Sequence, residues 1–70
     1  MDRANRAQMI GEKLKALRGE KTQQEVADAI GVTAMAISQY ERGERVPNDE
    51  MKVRIADYFH KGVSEIFFAT

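Results

Sequence analysis

"TQQEVADAIGVTAMAISQYERG", residues 22–43, decides how this chain folds. It holds two helical patterns joined by one glycine and one valine. In the first, Thr22 followed by Glu25 forms a capping box: the hydroxyl accepts an otherwise unpaired amide, and the carboxylate reaches back to the cap's own amide. Val26, Ala27 and Ile30 give that helix an apolar side, and Gly31 ends it. Thr33 can cap the next helix, Ile37 and Tyr40 bury one side of it, and Gly43 stops it. So short a connection, with a glycine able to turn left-handed, forces the two helices to cross steeply and lie against each other. The crossing needs a small residue where the helices touch, and Ala27 is placed there. Val26, Ile30, Val32, Ile37 and Tyr40 fill the corner.

Outward from this pair the same period continues. Ile10, Leu14 and Leu17 form one stripe of a helix that reaches Arg18, with Gly19 as its stop. After the loop "ERVPN", Asn48 caps a helix whose Met51, Ile55 and Phe59 repeat every four residues until His60 and Gly62 break it. In "VSEIFF", Val63, Ile66 and Phe67 share a face that should join the core. No alternating apolar run appears. The expectation is an all-α, five-helix domain with helices at 5–18, 22–30, 33–42, 48–59 and 63–68. Seventy residues make a single domain, 1–70, which buries only about 60% of its unfolded surface and is stable by a few kcal/mol.

Composition narrows the function. The chain has no cysteine and one histidine, which argues against a disulfide framework and a metal site and fits a reducing, cytoplasmic setting. The charged start "MDRANR" and the lack of long apolar runs predict neither a signal peptide nor a membrane span. No catalytic constellation is visible: His60 stands alone as a helix-ending or surface residue, Ser38 and Ser64 have no base nearby in sequence, and no phosphate-cradling glycine loop occurs. The expectation is a non-enzyme without cofactors. Eleven basic and eleven acidic residues cancel, and neither half collects one sign, so net charge does not itself point to nucleic acid.

Spacing does. From Gln23, Ala27 follows four on, Gly31 eight on, Ile37 fourteen on and Tyr40 seventeen on. This is the pattern of a DNA-binding helix-turn-helix; the competing reading is an ordinary helical bundle with a chance glycine. On "TQQEVADAIGVTAMAISQYERGERVP" and the closing "IADYF…VSEIF", residues 8–68 resemble the lambda repressor/Cro-type, or XRE, family. The resemblance implies a compact five-helix domain that binds double-stranded operator DNA as a homodimer and represses or otherwise regulates transcription. It places Thr33, Ala34, Met35, Ser38 and Gln39 toward the major groove. It places Gln23 on a phosphate at the positive end of its helix, and Arg42, Gly43 and Arg45 in a loop that touches the DNA backbone. It also implies a buried ion pair between Arg18 and Glu41, whereas geometry alone allows two unlinked surface charges. The sequence departs from the family in a short "GEK" connection between the first two helices. It departs again in polar Asp49 and Lys52, whose packing Met51 and Val53 could take over.

With Ile37 and Tyr40 inward, the outer face is Ala34, Met35, Ser38, Gln39 and Arg42, while Ala36 packs near the second helix. That face is bland but usable. Alanine meets the thymine methyl, methionine adapts to an uneven apolar surface, and glutamine pairs bidentately with adenine. It suits a T/A-containing site with few hydrogen bonds, the rest of the specificity falling on DNA shape. The alternative sends Met35 onto a protein surface, as in an antitoxin-like or other protein-interaction module. Lys13, Lys15, Arg3, Arg6 and Lys21 either flank the phosphate rim or are simply solvated. Phe68 lies about 100° from Phe67 and is either partly exposed or a contact for a second copy.

Overall fold

The computed structural model describes residues 3–68, with side chains from Asn5 to Phe68. Four α-helices follow in order: α1, Arg3–Arg18; α2, Gln23–Ile30; α3, Ala34–Glu41; and α4, Asp49–Phe59. The expected fifth helix follows as a short π-helical turn, Ser64–Phe68. The body measures 32 × 22 × 22 Å. None of its described helices is long and apolar enough to cross a membrane.

Local chemistry sets the helix ends. Thr22 Oγ1 accepts the Glu25 amide at 3.0 Å, and the Glu25 carboxylate returns to the Thr22 amide at 3.5 Å. Thr33 accepts the Ala36 amide at 3.1 Å and Asn48 the Met51 amide at 2.9 Å. Gly31 stands at φ 91°, and its amide and that of Val32 both return to the Ala27 carbonyl, which closes the turn between α2 and α3. His60 ends α4 in the left-handed region at φ 58° without being glycine.

One core joins all the elements: Ile10 and Leu14 from α1, Val26, Ala27 and Ile30 from α2, Ala36, Ile37 and Tyr40 from α3, Ile55 and Ala56 from α4, and Ile66 and Phe67 from the closing turn. Ala27 is fully buried at the α2–α3 crossing. α1 runs against α3 at closer range than its leucines suggest. Gly11 is buried there, and a β-carbon on it would stand 2.5 Å from the Tyr40 carbonyl oxygen and would also overlap that of Glu41. Only glycine lets the two backbones meet at this point.

The two departures from the family pattern resolve differently. The short connection is a hydrogen-bonded turn: the Lys21 amide donates to the Arg18 carbonyl at 3.1 Å, and the Arg18 guanidinium donates to the Lys21 carbonyl at 2.7 Å. On α4, Met51 does pack against the core, but Val53 is exposed and does not. Lys52 keeps its own place instead. Its side chain is only 15% exposed, and its ammonium sits 5.8 Å from the Phe67 ring and 5.0 Å from the Phe68 ring. A long lysine stem does there what a branched apolar residue would do.

Candidate nucleic-acid interface

α3 reaches the surface because of what holds its ends and its inner side. At its start the Gly31 turn sets its direction. Arg54 supports that turn from α4, donating to the Ile30 carbonyl at 3.3 Å, a cation at the negative end of α2. At its far end Glu41 is held from two sides. Arg18 reaches it with a two-pronged fork, Nε to Oε2 at 2.6 Å and Nη2 to Oε1 at 3.0 Å. The Gln23 amide donates to Oε1 at 3.1 Å. The Glu41 side chain is 5% exposed and that of Arg18 17%, so this is the ion pair rather than two unlinked charges. The hydrogen bond to Glu41 raises the guanidinium above its ordinary pKa against the opposing effect of burial, and the carboxylate's charge adds to the rise. For a base that direction means the cation persists throughout the usual pH range. One cluster thus ties α1, α2 and α3 together.

The outward face then follows from the helical period. Ala36, Ile37 and Tyr40 are buried; Thr33 is exposed; Ala34, Ser38 and Gln39 are half-buried; Met35, at 69%, is the most exposed large apolar residue among those described. Thr33 uses its oxygen on the Ala36 amide, which leaves the hydroxyl proton to donate outward. Among the described residues, none engages the side chains of Ser38 or Gln39 in a hydrogen bond. Gln39 therefore keeps its full amide edge, donor and acceptor, beside Met35.

The expected phosphate set divides. Arg42 and Arg45 are exposed past the end of α3, and Arg45 lies 5.6 Å from the Tyr40 ring. Gly43 shapes the loop: at φ 74° it rests on the backbone of α1, where an added β-carbon would stand 3.0 Å from Gln8 Cα. Its amide is already given to the Tyr40 carbonyl at 3.2 Å. Gln23 has committed one N–H to Glu41 and keeps a second, together with its place at the start of α2. Of the flanking bases, Lys13 donates to the Glu65 carbonyl at 2.9 Å, and Lys21 donates to the Tyr58 hydroxyl at 3.0 Å. The Arg3 side chain lies outside the described residues. Phe68 is 56% exposed beside Lys52.

Sequence reasoning missed Glu44. It pairs with Arg42, Nε to Oε2 at 3.1 Å, inside the loop expected to meet phosphate. The opposite charges two apart in "RGER" were the available signal. It also missed Arg54, whose bond to the turn depends on how α4 packs.

A family model described as helix-turn-helix matches residues 14–66. The chain is 39% identical over 46 residues to the cryptic phage CTXphi transcriptional repressor RstR of Vibrio cholerae, an alignment covering 66% of this chain and 41% of that protein. It is 38% identical over 65 residues to the uncharacterized HTH-type transcriptional regulator YqaE of Bacillus subtilis, covering 80% of this chain and 56% of that one. The chain thus spans about half the length of these relatives. With a tight α2–α3 turn, an outward α3 and a family match across most of its residues, the chain belongs to the XRE-type, lambda repressor/Cro-like helix-turn-helix family.

Proposed function

We propose that this chain is a sequence-specific DNA-binding module of a transcriptional regulator, a repressor in its simplest form, that inserts α3 into the major groove of a palindromic operator as a homodimer. The observation that carries the reading is the free outward face of α3: Met35 exposed, Gln39 with an uncommitted amide, and Thr33 with a free hydroxyl proton. In the groove Gln39 pairs with adenine, Ala34 and Met35 meet thymine methyls, and Ser38 and Thr33 bond to base or phosphate. Arg42 and Arg45 contact phosphate, Gln23 donates its second N–H with the positive end of α2 behind it, and Gly43 lets the loop approach closely. Phe68 contributes to the contact between two copies. Similarity to a transcriptional repressor and to an HTH-type transcriptional regulator supports the reading.

Selection from a random pool of DNA duplexes with the purified protein tests it. Enrichment of a palindrome with half-sites about one helical turn apart is the expected result. A second reading, a protein-interaction module, is favoured by the exposed Met35 and Phe68 and the zero net charge. It predicts that no duplex is retained even at low salt.

A further inference from the structure

We infer that Glu44 acts as an internal stand-in for phosphate, occupying Arg42 in the free protein and lowering the chain's hold on DNA of any sequence. The inference rests on the DNA-binding reading above and adds a residue that tunes it. Glu44 takes Arg42 with both oxygens: Nε to Oε2 at 3.1 Å and Nη2 to Oε1 at 3.1 Å. This is the planar fork by which a guanidinium grips a phosphate. The partners are 59% and 54% exposed, so the pair is weak and readily exchanged.

Helix stability does not account for the carboxylate. It lies just past the end of α3, where the helix dipole disfavours an acid. Its position is nonetheless held. The Glu44 amide donates to the Gln39 carbonyl at 2.9 Å, and Gly43 before it rests on the α1 backbone at Gln8. The acid is thus anchored to the turn of α3 that carries Gln39 and is aimed at the cation expected to meet DNA.

Two consequences follow. A phosphate reaching Arg42 must displace an equivalent ligand, so the contact yields only the difference between the two. After the exchange the carboxylate stays near the phosphate and repels it. Both effects act on the backbone contact, which carries no sequence information. Glu44 therefore weakens all DNA binding alike and leaves the outward face of α3 a larger share of the discrimination.

The test compares wild type, Glu44→Gln, Arg42→Gln and the double variant on one mixed-sequence DNA duplex across a salt series. The expected result is that wild type binds and Glu44→Gln binds about fivefold tighter at low salt. Its log–log salt slope should be steeper by about one. On the Arg42→Gln background the same change should give a clearly smaller gain, because only the repulsion is then relieved. If wild type binds and Glu44→Gln matches it, the inference fails while the DNA-binding reading stands. If the gain is undiminished without Arg42, Glu44 acts through the general field and not as Arg42's ligand, and the inference again fails. If wild type shows no salt-dependent binding, the DNA-binding reading fails and takes the inference with it.

Discussion

Two single residues carry more of this domain than their size suggests. Gly11 faces backbone carbonyls rather than flexible side chains, so α3 cannot yield locally to an added methyl group. Gly11→Ala is expected to cost about 3 kcal/mol, the upper end for overpacking, in a domain that has only a few to lose. Urea unfolding of that variant should show a large drop in midpoint. Gly62→Ala is the matched control, because a β-carbon there meets nothing closer than 3.9 Å, and its midpoint should barely move. Arg18 is the second. Arg18→Met leaves the Glu41 carboxylate buried with only the Gln23 amide as partner. The expected loss is about 3 kcal/mol, much of it recovered when Glu41 is also replaced by leucine. A double-mutant cycle in urea checks both figures. Gln39→Ala makes no such demand on the fold, so its expected effect is on DNA alone: loss of about 1–3 kcal/mol at one base position. Full-length duplexes differing at that base would measure it.

At the scale of elements, the ends of α2, α3 and α4 were legible because capping is local. Thr22 with Glu25, Thr33 and Asn48 each lie within three residues of the amide they accept, and Gly31 writes the turn into the chain itself. What stayed hidden depends on partners far along the sequence. The Gln23–Glu41 bond spans 18 residues, and Arg54 reaches back 24 to Ile30. Gly11 was visible as a glycine, but only the approach of α3 reveals why it is there. The stacking of Lys52 on two phenylalanine rings likewise follows from packing. His60 offers a test of helix termination. It holds a left-handed conformation that costs a β-carbon-bearing residue energy, so His60→Gly should raise stability by about 1 kcal/mol, read as a higher urea midpoint at unchanged slope.

For the whole molecule, zero net charge leaves binding to local arrangement. Arg42, Arg45 and the start of α2 lie around one end of α3, where two of the nearby acids are held in ion pairs, Glu41 by Arg18 and Glu44 by Arg42. The proposed dimer would set its two copies of α3 about one DNA turn, roughly 34 Å, apart. Phe68→Ser should weaken the proposed contact between copies, seen as a lower sedimentation coefficient, with little loss of fold because the ring is already 56% exposed. The proposed function stands or falls on whether the outward face of α3 is the surface that reads DNA. Titrating a duplex from the random-pool selection into the 15N-labelled protein measures this directly. Amide shifts concentrated at Thr33–Arg45 and the start of α2 are the expected result. Shifts confined to α4 and the closing turn, or none at any ratio of duplex to protein, would contradict it.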